Sequence, residues 1–540
     1  MRRCGPGPTL EPVEPAAPSP SLTGRSAGRV LLAAAGLAVA TLAVYAPAFG
    51  FDFVHYDDGL YVAAVPEVRE GLSVEGLRWA FTSFQGANWF PLTRLSWMLD
   101  AELFGLDPGA FHRTNVLLHA LAAALFVLAL VRLTGELGRS AWVAAVFALH
   151  PLHVESVAWV ASRKDVLSGV FAAASLLAYA AAARRGGFAR HGLVFALLAA
   201  GLMAKPTLVV WPAVFLLLDA WPLRRLERDG HLDAGRIVAA LREKLPLFAL
   251  VVLASLLTLA AQSEGGTLRS LEHMPAGMRL ANAFDAIAAY GADAFWPRGL
   301  AVFYPYPAAT ASRLGAAVGA ASVVAVTALC FGLWRRVPAL AVGWLWALGA
   351  LAPVIGIVQV GQAARADRYT YLPLVGLALA VAWGVGALTR GRWRVVVAVV
   401  ALGSLLALGA ATRVQLATWR DSEHLFGHAL RVTEGNHVAH INLGVALLER
   451  DRLDEASSHL NAALRVAPAS PFAAGLLADV RVRQDRTEEA IRLYRRALAI
   501  DPDSRRWRVS LARVLAESGR PEEAVRVLQE GEGQADRSAR

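Results

Sequence analysis

Residues 30–49 read VLLAAAGLAVATLAVYAPAF, an uncharged and almost wholly apolar run of twenty residues. Such a run is long enough to cross the roughly 30 Å hydrocarbon core of a bilayer as an α-helix. Because no small-x-small cleavage site precedes the charged loop that follows, we expect a retained signal anchor rather than a cleaved signal peptide. Residues 1–29 are rich in Pro, Ser and Gly and contain four arginines, which predicts a disordered cytoplasmic tail.

Further apolar runs of similar length follow along most of the chain. The sequence of 540 residues is 56% hydrophobic and only 18% charged, whereas soluble domains carry about 25% charged residues. This composition predicts an all-α, polytopic membrane domain over 30–412 with about eleven spans. The expected spans are 30–49, 116–131, 140–158, 166–183, 190–204, 206–221, 245–261, 314–334, 338–358, 371–388 and 395–412.

The distribution of charge predicts the orientation of these spans. Arginine collects in alternate connections, whereas the long first outer loop, 50–115, holds nine acidic and four basic residues. By the positive-inside rule the N-terminus is cytoplasmic and the C-terminus lies outside, in a bacterial inner membrane or a plasma membrane. The net charge of +10 is explained by this topology, and no nucleic-acid partner is expected. Segment 262–313 is predicted to lie at the outer interface, with an amphipathic helix near 280–296.

A repeat with a period of 34 residues occupies 437–530. Small residues, a large residue and a proline recur in register at each unit, which is the pattern of tetratricopeptide repeats, pairs of helices that stack into a solenoid. The recurring residues are Gly444, Ala456, Leu460, Ala463 and Pro468, then Ala478, Ala490, Tyr494, Ala497 and Pro502, then Ala512, Ala524 and Leu528. We expect a linking half-repeat at 413–436, three repeats at 437–530 and a flexible tail at 531–540. A purely structural cap or a dimerisation element is the alternative role for this domain.

Two adjacent aspartates, Asp57 and Asp58, follow the first expected span by a few residues. At the membrane–water boundary a carboxylate can meet both a lipid-borne substrate and a water-soluble acceptor, and it can act as a general base. The alternative is a solvated loop that begins with acidic residues.

Several distinctive runs accompany this pair in a fixed order. They are 51–58 (FDFVHYDD), 89–94 (WFPLTR), 111–119 (FHRTNVLLH), 149–165 (LHPLHVESVAWVASRKD), 204–206 (AKP), 218–223 (LDAWPL), 303–307 (FYPYP) and 367–373 (DRYTYLP). With the C-terminal repeats, they closely resemble the transmembrane and tetratricopeptide-repeat-containing O-mannosyltransferase family in its bacterial form, from about residue 40 to the end. The chain departs from eukaryotic members at 162–165, SRKD where they tend to carry GRAD, and at 205–206, KP where they tend to carry KE.

The resemblance implies a GT-C type glycosyltransferase with a catalytic acid in the first outer loop. It implies a polyprenyl-phosphate-linked sugar as donor, with mannose as the first candidate, and a hydroxyl of a protein or surface glycan as acceptor. The family motif gives Asp57 and Asp58 the carboxylate role and leaves open which of them is the base. The lipid phosphate that leaves needs cationic stabilisation, for which the expected residues on the outer side are Arg94, Arg163, Lys164, Lys205 and Arg368. Each of these could instead be an interfacial side chain that snorkels.

Other polar side chains near the outer boundary are expected to contact substrate. These are His55, His112, His150, His153, Glu155, Tyr304 and Tyr369. A metal site at His150, His153 and Glu155 is disfavoured because the spacing is not that of a zinc-binding helix and Pro151 breaks any helix between the histidines. No cofactor is assigned, although either aspartate could hold a divalent cation. The two cysteines, Cys4 and Cys330, predict neither a disulfide nor a zinc site.

Two other classes of protein compete with an enzyme. A non-catalytic membrane scaffold would use the repeats to assemble protein complexes and would tolerate loss of Asp57 and Asp58. A transporter would place ionisable residues near mid-bilayer and often shows inverted repeats, whereas the distinctive polar residues of this sequence lie at the expected outer boundary.

Overall fold

The computed structural model describes residues 24–265, 275–306, 313–357 and 361–538. The chain divides into two compact units. A membrane unit comprises the described residues of Met1–Phe53, Asp57–Arg298 and Ala308–Trp419. A repeat unit comprises the described residues of Val54–Tyr56, Gly299–Pro307 and Arg420–Arg540. The first residue of the repeat unit's main segment, Arg420, falls inside the predicted linking segment 413–436.

The membrane unit is helical throughout, with short strands in two of its loops. In chain order its α-helices are α1 Gly24–Tyr45, α2 Pro66–Arg69, α3 Val74–Thr82, α4 Pro91–Phe104, α5 Pro108–Thr134, α6 Leu137–Leu149, α7 Val154–Ala158, α8 Arg163–Arg185, α9 Phe188–Ala204, α10 Trp211–Ala220, α11 Ala234–Glu243, α12 Leu245–Glu264, α13 Ala276–Phe295, α14 Arg313–Gly332, α15 Pro338–Leu351, α16 Pro373–Leu388 and α17 Trp393–Ala417. Short 3₁₀ or π turns lie at Ala46–Gly50, Gly59–Ala63, Gln85–Ala87, Pro151–His153, Val160–Ser162, Pro206–Val210 and Asp367–Thr370. The strands β1 Glu227–Arg228 and β2 His231–Leu232 form an antiparallel hairpin, and β3 Tyr304–Pro305 (repeat unit) and β4 Ala363–Arg365 follow.

Local sequence explains where the long helices begin and end. Helix α5 starts where the Asp107 carboxylate accepts the Ala110 N–H at 3.0 Å and Pro108 occupies the first turn, because both features suit an N-terminus whose amides lack helical partners. It ends at Gly135, whose φ of 76° few residues other than glycine adopt readily. Pro151, which lacks an amide hydrogen, separates α6 from the turn that leads into α7, and the two segments are bent by 52°.

Fewer helices are long enough to span a membrane than the sequence predicts. Among the described residues six helices are long and apolar enough to cross a bilayer, or seven if the bent pair from Leu137 to Ala158 is one span. Each of the other expected spans coincides with a shorter apolar helix, at Phe188–Ala204, Pro206–Ala220, Pro338–Leu351 or Pro373–Leu388. The chain is a multi-pass membrane protein, and the predicted count of eleven spans is not confirmed.

The repeat unit consists of helices that pair in chain order. These are α18 Ser422–Val432, α19 His437–Glu449, α20 Leu453–Val466, α21 Pro471–Arg483, α22 Thr487–Ile500, α23 Arg505–Glu517 and α24 Pro521–Ser538. Close approach explains the small residues of the repeat, because a Cβ on Gly444 would lie 2.8 Å from Leu460 Cγ. The predicted all-α membrane domain followed by a helical solenoid is confirmed.

Two predicted boundaries differ from the observed elements, and a third predicted segment is described only in part. Helix α1 begins at Gly24, inside the predicted tail 1–29, whose residues 1–23 lie outside the described part of the chain. Helix α13 covers the amphipathic helix expected near 280–296, but part of the segment 262–313 lies outside the described residues. Helix α24 continues to Ser538, past the predicted start of the flexible tail at 531.

Candidate active site

The two aspartates of the loop that follows α1, Asp57 and Asp58, have different surroundings. Asp58 is fully buried, and its Oδ1 accepts the backbone N–H of Ala161 at 2.8 Å, just before α8 begins. Asp57 is half-buried. Asp58 therefore attaches the loop to the start of α8, and Asp57 is the more exposed residue of the pair.

The carboxylate of Asp57 has no hydrogen bond and no ion pair within 4.0 Å among the described residues. Burial raises the pKa of Asp57 above its ordinary value, while the positive charges of Lys164 and Arg368 act in the opposite direction. A carboxylate with a raised pKa accepts a proton more readily than an exposed one. Asp57 thus has the electrostatic setting of a general base close to two cations.

Lys164 presents its ammonium group to three aromatic rings. Its Nζ lies 4.9, 5.6 and 5.7 Å from the ring centroids of Tyr61, Phe90 and Trp159. These distances are those of cation–π contacts. Within the described part of the chain the ammonium has neither an ion-pair partner nor a hydrogen bond, so its charge is available to an anionic ligand.

Arg368 approaches the same group of rings from another part of the chain. Its guanidinium lies 5.3 Å from the ring of Trp159 and 5.0 Å from that of Tyr369. The carboxylate of Glu155 accepts the Arg368 backbone N–H at 2.8 Å and forms an ion pair with the guanidinium. Glu155 therefore fixes both the backbone and the side chain of Arg368, and Trp159 is shared by Arg368 and Lys164.

A second ion pair adjoins this group. The ammonium of Lys205 pairs with Oδ1 of Asp165, and the buried Oδ2 of Asp165 has no hydrogen-bond partner among the described residues. Both residues line a cavity of about 20 Å³ together with Thr207, Arg368, Tyr369 and Tyr371. A cavity of that size holds about one water, so it accommodates no sugar as it stands.

Arg94 and Arg163, two of the expected phosphate-binding residues, are engaged elsewhere. Arg94 donates to the backbone carbonyls of its own loop at Ala80, Ser83, Gln85 and Asn88, with distances of 2.6–3.3 Å. Burial lowers its pKa to about 10.

Arg163 is completely buried. It forms an ion pair with Asp100 at 2.6 Å and donates to Asn115 Oδ1 and to the Phe111 carbonyl. A buried guanidinium requires such partners, and the partners of these two arginines do not include Asp57.

The three histidines of the membrane unit that were expected to contact substrate, His112, His150 and His153, bond to backbone groups. His150 Nδ1 accepts the Leu152 N–H at 3.2 Å, so its Nε2 donates to the Ala294 carbonyl at 3.1 Å. His153 Nδ1 lies 2.7 Å from the Phe147 carbonyl, and His112 Nε2 lies 3.3 Å from the Asp52 carbonyl. Across the described ranges no three His, Cys, Asp or Glu side chains are placed to hold a metal ion.

Two expected substrate contacts belong to the repeat unit. The backbone N–H of His55 donates to Ser422 Oγ at 2.8 Å, and its Nε2 lies 2.7 Å from a carboxylate oxygen of Glu449. The Tyr304 hydroxyl accepts the Ala301 N–H at 2.9 Å. Proximity in sequence to Asp57 therefore does not put His55 in the same unit.

Four residues of the site were not selected from the sequence. Tyr61, Phe90 and Trp159 surround Lys164, and Asp165 pairs with Lys205. Phe90, Trp159 and Asp165 all lie in the runs 89–94 and 149–165, next to residues that were chosen for their charge. The signal for the ring cluster was the presence of Trp159 in the same run as Lys164 and of Phe90 in the run 89–94.

Comparisons with known proteins agree with this architecture. Tetratricopeptide repeat family models match residues 437–503 and 481–540. The chain is 34% identical over 159 residues to protein O-mannosyl-transferase TMTC1 of Mus musculus, covering 27% of this chain and 16% of that protein. It is 33% identical over 212 residues to protein O-mannosyl-transferase Tmtc2 of Drosophila melanogaster, covering 36% and 22%. A match to tmtc2 of Xenopus laevis has 40% identity over 89 residues, 16% and 11% of the two chains.

Fold and site define a multi-pass helical membrane protein that carries a tetratricopeptide repeat unit. The matches confirm the predicted resemblance to the transmembrane and tetratricopeptide-repeat-containing O-mannosyltransferases. The matched region spans less than a quarter of each of the three relatives' length.

Proposed function

We propose that this protein is a membrane glycosyltransferase that moves a hexose, with mannose as the first candidate, from a polyprenyl-phosphate donor to a hydroxyl group on the extracytoplasmic face. The relatives' names, protein O-mannosyl-transferase, support this reaction class and a protein acceptor. The observation that carries the proposal is the carboxylate of Asp57, without an ion-pair partner in the described structure, in the field of Lys164 and Arg368.

In the proposed reaction Asp57 is the general base. The acceptor oxygen forms a bond to the anomeric carbon of the donor while Asp57 takes the hydroxyl proton, and the bond between that carbon and the phosphate oxygen breaks. Polyprenyl phosphate leaves with an additional negative charge. A base raises the rate of such a displacement by typically about 10²–10⁴-fold.

Lys164 and Arg368 are the proposed partners of the phosphate that leaves. Cations placed where charge develops stabilise the transition state more than the ground state. Lys164 provides a point charge held among rings, and Arg368 provides planar donors oriented by Glu155. Asp58 and Glu155 act in this scheme as positioning residues because each is bonded to the protein backbone.

A groove on the surface of the membrane unit also supports a lipid-linked donor. An open apolar groove of about 1240 Å³ runs along α6, α16 and α17, with His150, Trp296 and Arg298 among its lining residues. Polyprenyl chains are apolar and would enter such a groove from the bilayer without loss of hydrophobic contact.

Transfer of radiolabelled hexose in proteoliposomes tests the proposal. Synthetic polyprenyl-phosphate-mannose and a cell extract as acceptor would be supplied to the wild type, Asp57→Asn and Asp58→Asn. We expect Asp57→Asn to abolish transfer at unchanged protein abundance, while Asp58→Asn lowers abundance as well, since it weakens a buried attachment. Full activity of Asp57→Asn would overturn the assignment.

Two further arms separate competing roles. An EDTA arm tests whether Asp57 instead holds a divalent cation, in which case chelation alone would stop transfer. Absence of turnover by folded wild type with any polyprenyl-phosphate hexose would favour the non-catalytic scaffold.

A further inference from the structure

A pair of histidines in the first repeat takes no part in the proposed reaction. His440 lies on α19 and His459 on α20, the helix with which α19 pairs. Their Nδ1 atoms face each other at 3.0 Å, with the ring centroids 5.2 Å apart. Both side chains are half-buried, so the nitrogens lie between two helices but within reach of solvent.

The distance between the two nitrogens suits two ligands of one metal ion. With Zn–N bonds of about 2.0–2.1 Å, ligand atoms 3.0 Å apart subtend an angle of about 94° at the metal. Tetrahedral coordination would need a separation of about 3.3 Å with the same bond lengths. A rotation of either ring that moves its Nδ1 atom by a few tenths of an ångström supplies the difference.

A carboxylate is available one helical turn away. Glu455 precedes His459 by four residues on α20 and therefore lies on the same face of that helix. Its two oxygens accept hydrogen bonds from Arg452, each at 2.7 Å, and Arg452 also donates to Glu423 at 2.7 Å. If Glu455 turned toward the histidines, Arg452 would keep Glu423 as its partner.

We propose that His440 and His459 bind a divalent transition-metal ion of the zinc or copper type, with Glu455 as third ligand and water completing the coordination. Imidazole and carboxylate ligands together suit these borderline metals. As the described residues stand, no three such ligands converge, so binding requires the Glu455 side chain to change rotamer. The bound ion would link α19 to α20 and stabilise the first repeat by mass action.

Metal binding by the full-length protein tests the proposal. The chain would be purified in detergent without an oligohistidine tag, stripped with chelator and titrated with Zn²⁺ by calorimetry. We expect one equivalent to bind, and His440→Gln and His459→Gln each to weaken binding at least tenfold. Glu455→Gln should weaken it by a smaller factor. His424→Gln is the matched control, since His424 lies in the same unit but bonds to Asp421 at 2.9 Å.

A spectroscopic measurement on the unaltered chain keeps the proposal testable if a variant misfolds. Cu²⁺ bound to the wild type should show two imidazole nitrogens by electron spin-echo spectroscopy, and Zn²⁺ should protect His440 and His459 from diethylpyrocarbonate. Absence of binding up to millimolar Zn²⁺, or equal binding by folded His440→Gln and His459→Gln variants, would show that the pair is only a hydrogen bond between helices.

Discussion

Arg163 and Lys164 are adjacent, and the sequence gives both the same expected task, but the structure predicts opposite consequences for their loss. Replacing Lys164 by Gln removes a charge that faces three aromatic rings and lies near Asp57. Replacing Arg163 by Gln removes the buried counter-ion of Asp100. We expect the first change to reduce transfer at normal abundance and the second to reduce abundance.

The magnitudes follow from the surroundings of each charge. Removal of one preorganised group that stabilises developing charge costs about 10²–10³-fold in rate, which we expect for kcat/KM of Lys164→Gln. Breaking a buried ion pair on one side costs about 3–5 kcal/mol of stability, which is a large part of the total for most proteins.

The assay measures activity and stability on the same preparations. Transfer of radiolabelled mannose from synthetic polyprenyl-phosphate-mannose would be followed in proteoliposomes, and thermal unfolding and detergent-extracted yield would be recorded for each variant. Lys164→Arg is a useful companion, since it keeps the charge against the rings and should recover part of the activity. Wild-type kcat/KM for Lys164→Gln, or loss of activity only in proportion to yield, would refute the role assigned to Lys164.

Three further perturbations test other parts of the structure. Because burial raises the pKa of Asp57 and a base must be deprotonated to act, kcat/KM should fall as pH decreases through a value above the ordinary pKa of about 4 for aspartate; a profile flat down to pH 4 would contradict this. Gly475→Ala would put a Cβ 2.5 Å from the Trp507 ring, so urea-dependent hydrogen exchange of the repeat unit should show a loss of about 1–3 kcal/mol. Gly427→Ala, whose Cβ meets only an ordinary contact at 3.7 Å, is its control and should be neutral or stabilising. Arg94→Gln would leave buried carbonyls of the first outer loop without donors, at about 1–3 kcal/mol each, and limited proteolysis should then cut between residues 80 and 88; unchanged resistance would show that water replaces the guanidinium.

The repeat unit could be predicted in detail from the sequence because its contacts are local and periodic. Each small residue of the 34-residue pattern meets a partner at a fixed offset, as Gly444 meets Leu460. Apolar runs likewise predicted a helix at each expected span. Helix length was less predictable. Helix α15 ends at Leu351, two residues before Pro353 and seven residues before the expected end at 358. Helix α16 begins at Pro373, two residues after the expected start.

Which of the cations form ion pairs, and with which residues, could not be predicted from the sequence. Arg368 and Glu155 are 213 residues apart, and Lys205 and Asp165 are 40 residues apart. No local pattern specifies such partners, because they are brought together only by packing of distant helices. The sequence therefore indicated charged candidates for the site but not which of their charges are neutralised by ion pairs.

That neutralisation distinguishes Lys164 from Arg368, the other cation proposed to meet the donor phosphate. Glu155 compensates Arg368 and Asp165 compensates Lys205, whereas Asp57 and Lys164 influence each other without forming an ion pair within 4.0 Å. A donor phosphate that binds Lys164 would partly cancel the positive field that opposes the burial-induced rise in the pKa of Asp57. The carboxylate would become a stronger base at the moment the donor is in place. Under the proposed function, donor binding and base activation would then be coupled through Lys164.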